Sequence, residues 1–414
     1  MRRIATLALV IICLNASAQQ NVGYYHAHLE KLYGVYSLGT YSSTPETKAP
    51  EGYEPFYISH YARHGARYQD SEEAYTKVIE ELEKAAGGNA LTELGKSVLE
   101  RTASYYEHCR NRRGELTSIG FHQHADMAKG TYDRFRKVFR RSSEITACSS
   151  FSRRCIMSMQ AFCLGLKECN PSLNIYPEVS RMHLDEVNPG DKENPYYEKT
   201  EDSPSPWGEN WEQFGKRTIT EDLADNIARR LFTENYLASL NTRFFTDRLY
   251  NFAAGMHCVD CDINLDDIFT TEEKYAYWRK INAGYYEWSV LRRDAYKPIL
   301  KNLVTLASKD IENGGNIVRL RFGHDTNLQA MLTMLGAFDM AVVPESIDDL
   351  HKTWQCWRTP MAATLEFVFY HSKKNPGILF KALLNGEEIP LTAMRPVSYP
   401  YYDFEELKKV VNSL

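Results

Sequence analysis

Three short stretches of the chain gather residue types that handle phosphate. Arg63-His64-Gly65-Ala66-Arg67 follows an apolar run, Arg153-Arg154 follows the β-prone "EITACSS" of 144–150, and His324-Asp325 follows "NIVRLRFG". Guanidinium groups form forked, charge-assisted hydrogen bonds that match phosphate oxygens. A neutral imidazole can attack phosphorus, and a carboxylic acid can protonate the departing alkoxide. Phosphate monoesters hydrolyse extremely slowly unaided, so a covalent intermediate surrounded by positive charge is the chemistry that this set offers. Each piece alone has an ordinary explanation: a solvated Arg-His pair, two arginines on a helix's first turn, a helix cap at Asp325 or Thr326. Their shared placement at strand ends is what those explanations leave out.

The elements that must position them follow from periodicity and capping. Residues 56–62 read as a strand, 144–150 as a short strand, and "NIVRLRFG" alternates two faces as a third. A helix carrying Ile156, Met159, Phe162, Cys163 and Leu166 at helical spacing follows the second, and one carrying Leu328, Met331, Leu332 and Leu335 follows the third. In an α/β sheet the carboxyl ends of strands border the ligand crevice, and helix N-termini there present free N–H groups to anions. Convergence of the three stretches would therefore make a pocket of arginines, two histidines and one carboxylic acid.

Further helices are predicted over 71–88, with Ser71 as cap, over 91–109, and from Thr117. Residues 188–212, rich in Pro, Asp, Glu and Asn, read as a long surface loop leading into a helical region. There Thr220 caps one helix and Thr270 with Glu273 forms a capping box for another. The latter bears Tyr275, Trp278, Ile281, Tyr285 and Trp288, a stripe that reads as helix packing. A last strand is predicted at 364–372. The fold class is α/β, a sheet flanked by helices. Residues 19–180 and 301–414 form a discontinuous catalytic domain, and 181–300 an inserted, mainly helical domain.

The chain resembles the histidine acid phosphatases, the branch of the histidine phosphatase superfamily that includes bacterial phytases and is similar to the multiple inositol polyphosphate phosphatases. The resemblance rests on Arg63-His64-Gly65-Ala66-Arg67 and "GHDTNL" (323–328). "LTSIGFHQ" and "RCIMSMQAFCLGL" stand between them in the family's order. It implies that His64 is the nucleophile, that Arg63, Arg67, Arg154 and His324 bind the phosphate, and that Asp325 protonates the leaving group. Arg154 rather than Arg153 matches, because it stands eight residues before Phe162. Thr326 is implied as a weaker substrate contact. Two departures stand out: Tyr68-Gln69 where the family often has a proline, and "HDTN", which leans toward the bacterial phytases rather than the inositol polyphosphate branch.

The expected substrate is a small phosphate ester, with phytate and other inositol phosphates as candidates and a broad acid or sugar phosphatase as the alternative. A non-catalytic phosphate-ligand binding protein would be expected to have lost His64 or Asp325. No cofactor or metal is expected, since arginines supply the charge. "HCVDC" (257–261) lacks a second ligand pair at zinc spacing and reads as a local disulfide or plain loop.

The N-terminus, "MRRIATLALVIICLNASAQQ", has two arginines, an apolar run and Ala16-Ser17-Ala18, the pattern of a signal peptide over residues 1–18. Export to the periplasm or outside the cell is the expectation. Removing residues 1–18 takes away Arg2 and Arg3 and no acid, moving the formal charge from −5 to −7. Such a surface suits neither nucleic acid nor anionic membranes. An anionic substrate must be held by a local cluster of cations.

Overall fold

A computed structural model of the chain describes residues 22–141, 144–314 and 317–414; the proposed signal peptide lies outside them. Its centre is a nine-stranded sheet: β1 Tyr53–Arg63, β2 Glu144–Ser149, β3 Ile175–Glu178, β4 Ile317–Gly323, β5 Thr364–Ser372, β6 Leu379–Leu384, β7 Glu387–Glu388, β8 Pro396–Ser398 and β9 Tyr401–Asp403. The order is β3-β2-β4-β1-β5-β6-β9-β8, with β7 beside β6. β3, β2, β4 and β1 run parallel, and β5 turns antiparallel against β1. Strand 364–372 is therefore not the last: four short strands follow it. β7, β8 and β9 escaped the sequence reading because two or three residues carry almost no alternation, β3 has only four residues, and β6, LFKALL, is an apolar run without a strand's alternation.

β1 is buried on both faces, as a central strand must be. Tyr57 and Tyr61 enter one apolar layer, and Ile58 and Ala62 enter the other. The first layer is covered by α9 (Lys297–Glu312), α10 (Asp325–Met334) and α11 (Phe404–Ser413), and Phe214 of α5 (Trp211–Thr218) joins the same cluster. The second is covered by α3 (Ser118–Arg134) and α4 (Arg153–Cys169). Gly323 lies opposite Arg63, and Phe322 opposite Ser149, so the carboxyl ends of β1, β4 and β2 finish side by side.

A separate apolar cluster joins α6 (Glu221–Arg229), α7 (Thr242–Met256) and α8 (Thr271–Tyr286) to α1 (Glu73–Gly87) and α2 (Glu93–Cys109). This cluster thus draws on residues 73–109 as well as on helices between 221 and 286. Thr117, Thr220 and the Thr270/Glu273 box cap as the residue types predict. Ser71 does not cap α1; Glu72 holds the N-cap position without a side-chain bond. All eight described cysteines are free thiols, and 257–261 is a plain turn in which the Cys258 thiol meets the Tyr36 carbonyl. No described helix is long and apolar enough to cross a membrane.

Candidate active site

β1 ends in Arg63, and the chain then turns through His64 and Gly65 across the ends of β4 and α3. The turn is held by residues from each neighbouring motif. The His64 N–H donates to the Gly323 carbonyl (3.0 Å), and the Gly65 N–H to Ser158 Oγ (3.0 Å). The Ala66 N–H donates to Gln123 Oε1 (2.9 Å), and the Ala66 carbonyl accepts from the Thr117 N–H (2.9 Å). Gly65 and Gly120 make this possible. A Cβ on Gly65 would stand 2.4 Å from the Gly120 carbonyl oxygen, and one on Gly120 would stand 2.2 Å from that of Ala66. The Thr, Gly and Gln of "LTSIGFHQ" and the Ser of "RCIMSMQAF" are therefore the scaffold of the His64 loop.

His64 is buried, and its Nδ1 lies 2.9 Å from the Gly65 carbonyl oxygen. A carbonyl can only accept, so Nδ1 carries the proton and Nε2 keeps its lone pair. Burial holds the imidazole well below its ordinary pKa, and Arg154, Arg63, Arg67 and His324 push in the same direction. The ring stays neutral far into acid. Its centroid is 5.7 Å from that of His324.

Arg63 is wholly buried. Nη1 donates to the carbonyls of Val35 (2.6 Å) and Thr359 (2.8 Å), and Nη2 lies 2.9 Å from Asp325 Oδ2. That last contact is Coulombic rather than an aligned hydrogen bond, since Nη2 has no hydrogen-bond acceptor. Arg67 donates through Nη1 to the Tyr68 carbonyl (3.0 Å), and its guanidinium stands over the Tyr36 ring. Arg63 Nε and Nη2, Arg67 Nε and Arg154 Nε are all buried donors without a protein acceptor. Orphaned buried donors are costly; Arg63 Nη2 faces Asp325, which leaves one Nε donor on each of the three arginines around His64 that an anion could satisfy. Arg153 instead points out to Glu115.

His324 occupies the N-cap position of α10, and Asp325 is that helix's first residue. Neither Asp325 nor Thr326 is the cap. Asp325 Oδ1 accepts from the Thr326 N–H (2.9 Å). Burial pushes its carboxyl up, but Arg63, His324 and Arg67 outweigh that and leave it below the ordinary range. His324 Nε2 lies 3.3 Å from Ser150 Oγ. Behind it, Tyr61 Oη accepts from the His324 N–H (3.3 Å) and from Asn327 Nδ2 (2.6 Å), and donates to the Val187 carbonyl (2.8 Å).

Several neighbours of the site carry no motif signal. Tyr36 and Asp70 contact Arg67, and Tyr296 faces Thr326. Tyr285 belongs to the aromatic stripe read as packing. That reading fits Trp278, but Tyr285 stands where Asp325, Arg63 and Arg67 all act on its hydroxyl. Away from this site, Cys148, His183 and Glu186 place potential ligand atoms within 4.8 Å of one another. His183 is already spanned by Glu186 (2.9 Å) and Glu178 (3.0 Å), which outweigh its partial burial and raise its pKa to about 9, and Glu186 also faces Arg321. The cluster is a closed ion-pair latch.

Comparison with known proteins agrees with this architecture. The chain is similar to the multiple inositol polyphosphate phosphatase of Bifidobacterium longum, solved with inositol hexasulfate, at 19% identity and a TM-score of 0.73, covering 92% of this chain and 97% of that one. It is similar to the phytase from D. castellii at 15% identity and TM-score 0.70, covering 93% and 85% of the two chains. The Hafnia alvei phytase follows at 12% and 0.57, covering 88% and 98%. The shape thus matches an inositol polyphosphate phosphatase well, although the "HDTN" segment leans the other way. No curated protein sequence matches the chain. The model of the histidine phosphatase superfamily (branch 2) matches residues 61–385, most of the chain, which therefore belongs to that family.

Proposed function

We propose that the protein is a phosphomonoesterase that works through a phosphohistidine on His64. The observation that carries this reading is a neutral imidazole, its Nε2 free, among three arginines that each keep a buried Nε donor without a protein acceptor. Arg63, Arg67, Arg154 and His324 hold the phosphoryl oxygens. The His64 Nε2 lone pair forms the N–P bond as the P–O bond to the alcohol breaks, and Asp325 gives the leaving oxygen a proton. Water then attacks phosphorus, its proton passes to Asp325, the N–P bond breaks, and His64 returns to neutral. Thr326 and Tyr296 stand where the alcohol would lie. Positive charge comes from arginine, so no metal is required.

The fold's likeness to inositol phosphate enzymes supports inositol phosphates as substrates; a broad or sugar phosphatase would use the same six groups. The proposed leader supports export, which would be seen as a mature N-terminus at residue 19 in protein recovered outside the cytoplasm. Rapid quench with labelled substrate should trap an acid-labile, base-stable phosphoenzyme in the wild type and none in His64→Ala. A His64→Ala protein that still turns over substrate would overturn the mechanism.

A further inference from the structure

We propose that Asp70 is a specificity-determining residue, biasing this site toward esters that carry a single phosphate and against esters with phosphates on neighbouring positions. The inference rests on reading the arginine cluster as the phosphate site. Asp70 Oδ2 lies 2.7 Å from Arg67 Nη2, and Oδ1 lies 3.4 Å from Arg154 Nη1. The Asp70 side chain is 57% exposed, whereas those of Arg67 and Arg154 are 7% and 20% exposed. The carboxylate therefore stands on the solvent side of both cations, at the rim a substrate must pass. It is held there by backbone: the Gly114 N–H donates to the Gln69 carbonyl (2.8 Å). A Cβ on Gly114 would come within 3.7 Å of Asp70 Oδ1.

Beside this rim lies a cleft of about 430 Å³ that shares Asp70 and Tyr36 with the arginine cluster. Its ionisable groups are Asp70, Glu73 and Asp247 against a single cation, Arg248. Asp247 is paired with Lys280 (2.5 Å) and Asp70 with Arg67 and Arg154, so the cleft offers a second phosphate no surplus of positive charge. Gln69, Ser71 and Asn251 offer neutral donors and acceptors, and Phe244 an apolar face. A hydroxyl-bearing ring fits that chemistry. A second phosphate dianion in the cleft would meet the carboxylates of Asp70 and Glu73, with Arg248 as the cation of its lining.

The bland alternative is that Asp70 merely orients Arg67 and Arg154; it predicts parallel losses on every ligand. Calorimetric binding of inorganic phosphate and of inositol hexakisphosphate separates the two without needing turnover. Asp70→Asn keeps the shape and removes the charge. One unit charge acting on a nearby dianion in water-like dielectric corresponds to a change on the order of tenfold, fading with salt. Asp70→Asn should therefore tighten hexakisphosphate roughly tenfold more than phosphate at low salt. Asp70→Glu should behave as the wild type. In turnover, the gain for hexakisphosphate should appear in KM, with the ratio of glucose 1-phosphate to nitrophenyl phosphate rates unchanged. Equal shifts for both ligands, or a gain insensitive to salt, would overturn the proposal. A wild type that binds both ligands selectively yet hydrolyses no ester would overturn the phosphatase reading and leave this one standing.

Discussion

Asp325→Asn separates a proton donor from a structural counter-ion. The asparagine keeps the size of the side chain and can still accept from the Thr326 N–H, but it has no proton to give. An inositol or sugar alkoxide is strongly basic and must be protonated as the P–O bond breaks; a nitrophenolate need not be. General acid catalysis contributes about 10²–10⁴-fold, roughly 3–5 kcal/mol of barrier. The variant should lose that much kcat on glucose 1-phosphate and far less on nitrophenyl phosphate.

Phosphate affinity should hold or rise, because the 2.9 Å contact makes Asp325 the competitor for Arg63. Arg63 keeps its two carbonyl partners, so the fold should survive, which a Tm measurement checks. Because the Asp325 carboxyl is depressed in the free site, its stabilising contribution is present above about pH 4 and is lost only as pH falls through its lower folded value. An assay at about pH 5 therefore leaves the pair with Arg63 intact. The same depression means that the proton must enter with a monoanionic ester. Activity should then decline above about pH 6, where phosphate esters lose their second proton. Equal loss on both substrates would refute the reasoning and make Asp325 a counter-ion for Arg63 alone.

Incubation with EDTA should leave activity unchanged; a large loss restored by zinc or magnesium would remove the arginine-based account. Gly120→Ala should be destabilising by about 1–3 kcal/mol and should lower kcat, although alanine is the better helix former, because its Cβ would press on the Ala66 carbonyl and shift the His64 loop. A urea midpoint equal to the wild type would refute that. His60 and His124 are buried and neutral, each with a pKa lowered to about 3, mainly by burial. Both unfold to imidazoles near 6.5, so their contribution is complete above that pH and shrinks below it, by at most about 1.4 kcal/mol per pH unit each. Urea unfolding at pH 6.5 and 4.5 should show the decline, and His60→Leu should flatten it; identical midpoints at the two pH values would contradict the assignment.

Three strand ends, the helices after two of them and the residue types gathered there are legible in the chain read alone. Apolar alternation, capping threonines and the Arg-His-Gly-Ala-Arg and His-Asp stretches are local patterns, and locality is what one chain read alone retains. Arg154 over Arg153 came from the family resemblance, whose arginine stands eight residues before a phenylalanine, and the fold turns Arg153 outward to Glu115. What stands beside these groups is set by folding. Asp70 at the rim, Tyr285 opposite Asp325, and the joining of residues 73–109 to the helices of 221–286 depend on contacts between segments far apart in sequence. The state of His64 belongs there too. The chain supplies an imidazole, but its tautomer comes from the turn at Gly65, and its neutrality from burial and from Arg63 at the end of β1, Arg67 in the loop after it and Arg154 in the first turn of α4.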